Sequence, residues 1–330
     1  MAERKRIGFL CGNFDPVRAC WIRTALSALD TGRADQVYVI PLADPSGAHC
    51  KAPAQDRWRM VVSACSGDKR LIPSRLSLDR GILRPGDIQE ALKKENPKAK
   101  IFSIPCEGES SGYTIEALDI PVREYCACKG LCGLPGLEGS GPWIDSLFAS
   151  LKPRRFAHSL SVAWTAARLA SIHGLDRIRA EQAGLLHDCA KCLPMKEMRQ
   201  IAVDLSLTDD PAFLDNGALL HSLVGEAVAR DRYGMKDPET LEAIRYHNTG
   251  HAGMSRLAMC VCLSDTIEPL RDSFPLLEQV RALAESSLER ALLLSLEGTA
   301  SYVRSRGLYL HPRTMDTIAW LKTLPAVTGK

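Results

Sequence analysis

The sequence predicts a parallel-sheet α/β domain over residues 1–132, a Gly/Pro-rich linker over 133–142 and an all-helical domain over 143–330. Three observations carry this. Residues 7–41 run strand, loop, helix, strand at the spacing of a βαβ unit, which requires a parallel sheet. Residues 130–142 read Gly-Leu-Cys-Gly-Leu-Pro-Gly-Leu-Glu-Gly-Ser-Gly-Pro and lack hydrophobic periodicity. Beyond them, apolar residues recur at helical spacing through most of the chain.

Taken in order, residues 7–10 form a buried strand, 11–16 a turn, 21–29 a helix and 37–41 a second strand. The mouth where the first strand meets its helix is a natural site for nucleotide phosphate. After the linker, residues 160–172 form an apolar helix stopped near Gly174, with His158 just ahead of it. Ala180, Ala183, Gly184 and His187 share one helical face, and Asp188 follows. The small residues on that face let a neighbouring helix approach closely. His221 has Val224, Gly225 and Val228 on its face, and Gly234 ends that run. Asp237 and Pro238 supply an N-cap and a first-turn proline to a helix with Ala243 and Ile244 on the face of His247. Leu257, Val261 and Asp265 share a face of the next. Residues 278–296 are expected to form one long amphipathic helix, and 302–323 to close the domain around Tyr309, Ile318, Trp320 and Leu321.

A chain of 330 residues with 45% hydrophobic content can build two cores. A net charge of +3 argues against a broad nucleic-acid or membrane footprint. Apolar runs such as 257–263 are too short to span a bilayer, and the apolar stretch 7–10 is soon broken by Asn13, Asp15 and Pro16, unlike a signal peptide. A cytoplasmic location is expected. The 12 cysteines are scattered, many in apolar settings such as Cys11, Cys65, Cys260 and Cys262, as buried thiols in a reducing compartment would be. Cys126, Cys128 and Cys132 lack the paired spacing and neighbouring histidine of a structural metal site, and Cys189 with Cys192 is accounted for by the His187–Asp188 helix.

Chemistry concentrates in the second half. His158, His187, Asp188, His221, His247 and Asp265 place four of the chain's eight histidines and two aspartates on the apolar faces of five helices, expected to be successive. Imidazoles and carboxylates in this mixture suit divalent Zn, Fe or Mn, and six such groups exceed one tetrahedral site but fit a two-metal one. His49, His173, His251 and His311 have no such placement and read as surface or loop residues. Lys191 can meet a phosphate or only the helix dipole. Arg271 can meet a phosphate or pair with Glu268, and Lys152, Arg154 and Arg155 precede His158 where they can attract a polyanion.

The order of these groups resembles the HD-domain phosphohydrolases. Ala183-Gly184-Leu185-Leu186-His187-Asp188, Leu219-Leu220-His221-Ser222, Tyr246-His247-Asn248-Thr249-Gly250 and Ser264-Asp265-Thr266-Ile267-Glu268-Pro269-Leu270-Arg271 are similar to the YqeK-type symmetrical diadenosine tetraphosphate hydrolases, over about residues 143–330. The resemblance implies an HD-type helical fold, metal-dependent cleavage of diadenosine tetraphosphate to two ADP, and two divalent ions. It suggests iron, while the ligand chemistry also admits Mn, Co or Zn. It places Asp188 between the ions, His158, His187 and Asp265 on one, and His221 with His247 on the other. Asp188 and Lys191 are then catalytic, and Arg271 and Arg155 substrate-binding. The expected partner is a dinucleoside polyphosphate or other nucleotide, not nucleic acid or membrane, and a homodimer is an open assembly. Alternatives are an HD-type hydrolase of a deoxynucleotide or guanosine alarmone, a bifunctional adenylyltransferase-hydrolase, and a nucleotide-binding regulatory protein.

A second resemblance covers the first half. Gly12-Asn13-Phe14-Asp15-Pro16-Val17, then Lys51, Arg57 and Met60, and Pro121-Val122-Arg123-Glu124-Tyr125 with Lys129-Gly130-Leu131 look like a bacterial nicotinate-nucleotide adenylyltransferase, which implies a nucleotidyltransferase-like sheet. That family's His-x-Gly-His signature is replaced here by Arg18-Ala19-Cys20-Trp21, and its late serine-rich signature is reduced to Ser110-Ser111 without the arginine. The resemblance therefore implies a degenerate domain without adenylyl transfer.

Overall fold

The computed structural model describes residues 4–44, 47, 50–105, 118–132 and 141–328. The chain divides into two compact units, Met1–Gly136 and Leu137–Lys330. Of the expected linker, residues 133–140 lie outside the described residues, as do His49, Ser110 and Ser111, while Gly141 and Pro142 already open a helix.

The first unit runs β1 (Arg6–Gly12), α1 (Ala19–Asp30), β2 (Gln36–Pro41), α2 (Ala54–Ala64), β3 (Leu71–Pro73), α3 (Leu76–Arg80), α4 (Pro85–Glu95), β4 (Lys100–Ser103) and α5 (Ile120–Lys129). The four strands form a parallel sheet in the order β3-β2-β1-β4. Central β1 buries Ile7, Phe9 and Leu10 completely, as a parallel strand covered on both faces must. The turn after β1 is fastened to the segment after β2. The Asp15 carboxylate accepts the backbone N–H groups of Lys51 and Ala52, and Arg57 donates through one guanidinium nitrogen to the carbonyls of Asn13 and Leu42, each at 2.8 Å. Arg57 is 1% exposed and so acts as an internal tie. Helix α5 is tied to α2 by Tyr125, whose hydroxyl donates to Asp56 at 2.6 Å.

The second unit is helical throughout its described residues: α6 (Gly141–Ser150), α7 (Pro153–Ile172), α8 (Arg177–Leu186), a single 3₁₀ turn (Cys189–Cys192), α9 (Met195–Asp204), α10 (Pro211–Leu214), α11 (Gly217–Tyr233), α12 (Pro238–Tyr246), α13 (Arg256–Ile267), α14 (Leu277–Ala284), α15 (Leu288–Ser305), α16 (Pro312–Leu321) and α17 (Pro325–Thr328). None of the described helices is long and apolar enough to cross a membrane.

Several expectations need correction. His158 lies inside α7 rather than ahead of it, because Pro153 starts the helix two turns earlier. The helices bearing the candidate ligands are not successive, since α9 and α10 intervene before α11. The run 278–296 is two helices, not one. Ser287 caps the second by accepting from the backbone N–H of Arg290, so the chain breaks between α14 and α15. Tyr309 is 56% exposed and Trp320 half-buried, leaving Ile318 and Leu321 to close the core. His311 is not a surface residue. It is buried as the N-cap of α16, accepting from the backbone of Arg313 and bonding Asp210 at 3.0 Å.

Close packing of α7 against α8 depends on Gly184. A Cβ there would stand 2.9 Å from the Ala163 Cα and 3.0 Å from both the Ala163 nitrogen and the Val162 oxygen, all main-chain atoms of α7.

Candidate metal centre

Helix ends and faces bring the six candidate ligands together. His158 comes from the second turn of α7 and Asp265 from the last turn of α13. His187 and His247 occupy the C-cap positions of α8 and α12, and Asp188 leads into the 3₁₀ turn. His221 sits in the second turn of α11. Gly225, one turn further along α11, lets that helix approach, since a Cβ there would stand 3.3 Å from the His187 carbonyl.

The imidazoles point inward through Nε2. His187 Nδ1 is 2.6 Å from the Gly184 carbonyl, His247 Nδ1 is 2.7 Å from that of Ile244, and His221 Nδ1 is 3.3 Å from that of Gly217. A carbonyl can only accept, so each Nδ1 is the donor, which leaves each Nε2 facing inward as the ring atom that can ligate. His158 has its Nδ1 3.0 Å from a carboxylate oxygen of Glu268 instead. Its Nε2 is 3.0 Å from Asp265 Oδ1 and 3.3 Å from His187 Nε2. His221 and His247 meet Nε2 to Nε2 at 3.0 Å.

Asp188 stands between the two pairs. Its Oδ2 faces His187 at 3.4 Å and His158 at 3.8 Å, and its Oδ1 faces His221 at 3.3 Å and His247 at 3.7 Å. Two trios, His158–His187–Asp265 and His187–Asp188–His247, have ligand atoms close enough to share an ion.

Burial and charge set the protonation states. Burial works to raise the Asp188 carboxyl, but the imidazoles set around it, His187 first and then His221 and His247, hold it well below the usual carboxylate range. Asp265 is depressed in the same way, with burial outweighed by His158, His187 and Arg271. Burial pushes His187 down and His221 down to about 4, so both resist protonation. For His158 burial also works downward, but Asp265 and Glu268 more than offset it and the ring is raised.

The donor set fits divalent metal. At His221 and His247, two inward Nε2 atoms lie 3.0 Å apart, a spacing at which both can ligate one cation. Asp188 Oδ1 is fully buried and accepts no hydrogen bond, the condition of an oxygen made to bind a cation.

Three cations border the carboxylates on the accessible side. Arg155 is 2.5 Å from Asp188 Oδ2, Lys191 is 3.5 Å from Asp188 Oδ1, and Arg271 is 3.5 Å from Asp265 Oδ1. Their side chains are 35%, 31% and 40% exposed, whereas the four imidazoles are 9% or less. Arg271 thus pairs with Asp265. Arg154 reaches Asp272 at the exposed surface. Glu268 was legible only as a partner for Arg271. The overlooked signal is its i+3 spacing from Asp265, which puts both carboxylates on one face at the end of α13.

In the first unit, the positions where nicotinate-nucleotide adenylyltransferases carry histidines hold a packed pair. The Arg18 guanidinium lies over the Trp21 ring at 5.1 Å, and Trp21, 5% exposed, packs on Phe14 with ring centroids 5.5 Å apart. Of the three clustered cysteines, Cys126 and Cys132 approach to 3.4 Å, and Cys126 also touches Met60.

The chain is also similar to known proteins. The HD domain family matches residues 155–270. The chain is 37% identical over 173 residues to the symmetrical bis(5'-nucleosyl)-tetraphosphatase of Bacillus subtilis (strain 168), covering 52% of this chain and 91% of that protein. It is 31% identical over 186 residues to a probable nicotinate-nucleotide adenylyltransferase of Mycolicibacterium vanbaalenii, covering 55% of this chain and 83% of that one. The crystal structure of a predicted HD superfamily hydrolase involved in NAD metabolism from Clostridium acetobutylicum matches with a TM-score of 0.54 and 35% identity, over 56% of this chain and 98% of that one.

Proposed function

The chain belongs to the HD-domain family of symmetrical bis(5'-nucleosyl)-tetraphosphatases, joined here to a nicotinate-nucleotide adenylyltransferase-like domain, and from that premise we propose that its helical unit hydrolyses diadenosine tetraphosphate to two ADP with two bound divalent ions. The observation that carries the two-ion reading is the Asp188 carboxylate, one oxygen of which faces His158 and His187 and the other His221 and His247. His158, His187 and Asp265 would hold one ion, His221 and His247 the other, and Asp188 both. Such ions supply Lewis acidity toward phosphoryl oxygens and make water more acidic.

The chain's own residues do the rest. Hydrogen bonds at Nδ1 keep the imidazoles in the ligating tautomer. Lys191, Arg155 and Arg271, on the accessible side, bind and orient the polyphosphate and offset charge that grows on its oxygens. Water adds to one of the two central phosphorus atoms, the bridging P–O bond between them breaks, and ADP departs from each side. Iron is the metal proposed, with Mn, Co or Zn compatible with the same donors. The test is chromatography of products from Mn- or Fe-loaded protein given diadenosine tetraphosphate, deoxynucleoside triphosphates and guanosine alarmones. ADP as sole product from the first, and slow turnover of the rest, is expected. ATP plus AMP, or preference for another nucleotide, would defeat the assignment.

For the first unit we infer loss of adenylyl transfer. Transfer needs donors aimed at the phosphate as charge develops, each worth about 3 kcal/mol. Trp21 carries a single donor on a ring already packed on Phe14, and Arg18 lies against that ring. Full-length protein given ATP, magnesium and nicotinate mononucleotide is expected to form no dinucleotide. Clear product would make the chain bifunctional.

A further inference from the structure

Glu268 is not among the six candidate ligands, yet it is 1% exposed and committed on every side. One carboxylate oxygen lies 3.0 Å from His158 Nδ1, and the other accepts the backbone N–H of Leu270 at 2.5 Å. Its own carbonyl accepts from Arg281 and from the backbone N–H of Arg271, and its backbone N–H donates to Ser264. Ser161, one turn along α7 from His158, is a further hydrogen-bond partner of the carboxylate. The group is therefore fixed in place before any ligand arrives.

This arrangement clamps one imidazole from two sides with one segment. Asp265 stands 3.0 Å from His158 Nε2 and Glu268 3.0 Å from Nδ1, and the two acids are three residues apart at the end of α13. The other three rings are each oriented by a main-chain carbonyl, a neutral acceptor. His158 alone among the four is oriented by a charged one.

We propose that Glu268 is a positioning residue for metal binding. By accepting the Nδ1 hydrogen of His158 it fixes the tautomer that leaves Nε2 free, and its negative charge makes that nitrogen a stronger donor than a carbonyl-oriented ring. The proposal rests on His158 being a metal ligand, and it adds that the site bound by His158 owes part of its affinity to a residue that never touches the ion.

The test uses full-length protein, Glu268→Gln, Glu268→Leu and, as a surface control, Glu297→Gln, whose carboxylate pairs with Lys322. Mn(II) affinity is measured by chelator competition, alongside kcat, KM and the melting temperature of the metal-free proteins. The His158 Nδ1–H signal is followed by NMR in the metal-free state. Glutamine keeps an acceptor but not the charge and is expected to weaken Mn(II) binding about tenfold. Leucine removes both and is expected to weaken it up to about 100-fold, with loss of the protected Nδ1–H signal. Excess Mn(II) is expected to restore most of kcat in both, with KM unchanged. Wild-type Mn(II) affinity in either variant, or a melting temperature that falls while affinity holds, would overturn the proposal. Should the leucine variant fail to fold, the glutamine variant decides alone. A wild-type protein that binds no Mn(II) would instead refute the metal-site assignment itself.

Discussion

Replacing Asp188 with alanine is expected to strip the protein of bound metal and lower hydrolysis of diadenosine tetraphosphate by more than about a hundredfold. Losing a group that only orients a ligand already costs about 10- to 100-fold, and Asp188 is placed to be a ligand itself. No neighbour can substitute for it. Asp265 reaches His158 and His187, at 3.0 and 3.8 Å, whereas Asp188 addresses both imidazole pairs. The helices should persist, because none of the α7–α8 packing at Gly184 involves the carboxylate. Elemental analysis, circular dichroism and product chromatography on Asp188→Ala and the isosteric Asp188→Asn provide the check. Full metal content with normal turnover in the alanine variant would remove Asp188 from the centre of the site.

Gly184→Val should produce the largest loss of stability. Its Cβ would meet main-chain atoms of α7 at 2.9–3.0 Å, and a helix backbone cannot rotate aside as a side chain can. Overpacking of this kind costs about 1–3 kcal/mol and more where the obstacle is rigid. At about 3 kcal/mol the melting temperature should fall by roughly 10 °C. Any relief by moving α7 away from α8 also separates His158 from His187, so metal affinity should fall with stability. Gly298→Ala is the control. It also lies in a helix, but its new Cβ would meet only the end of the Leu276 side chain. Equal melting temperatures for the two variants would show that α7 yields more easily than its contacts indicate.

The His and Asp residues that gather at the site stood out in the sequence because each is a polar group on an otherwise apolar helical face. Gly184 stood out as a small residue among them, and it is where α8 meets the α7 backbone. Glu268 was less visible. Followed by Pro269 and near Arg271, it has the look of a turn acid, and only the crossing of α7 over the end of α13 brings it to His158. The break at Ser287 was hidden for a related reason. Helical periodicity continues on both sides of it, and a serine N-cap is a weaker signal than proline or glycine. His311 carried no local mark of burial, since its partner Asp210 is 101 residues away. In the first unit, the missing histidines were plain, but the stacking of Arg18 on Trp21 depends on how the turn from β1 enters α1.

The ways in which the four imidazoles are oriented bear on how random substitution reaches the site. A main-chain carbonyl is supplied by every residue type, so changing the side chain of Gly184, Gly217 or Ile244 leaves the acceptor for its histidine in existence. Those rings can be disturbed only by displacing the backbone or by changing the histidine itself. The orientation of His158 hangs on a side chain, and a single codon change at Glu268 deletes it while sparing all six candidate ligands. A variant screened only for an intact ligand set would pass unnoticed through that position, which makes Glu268 a hidden point of genetic fragility.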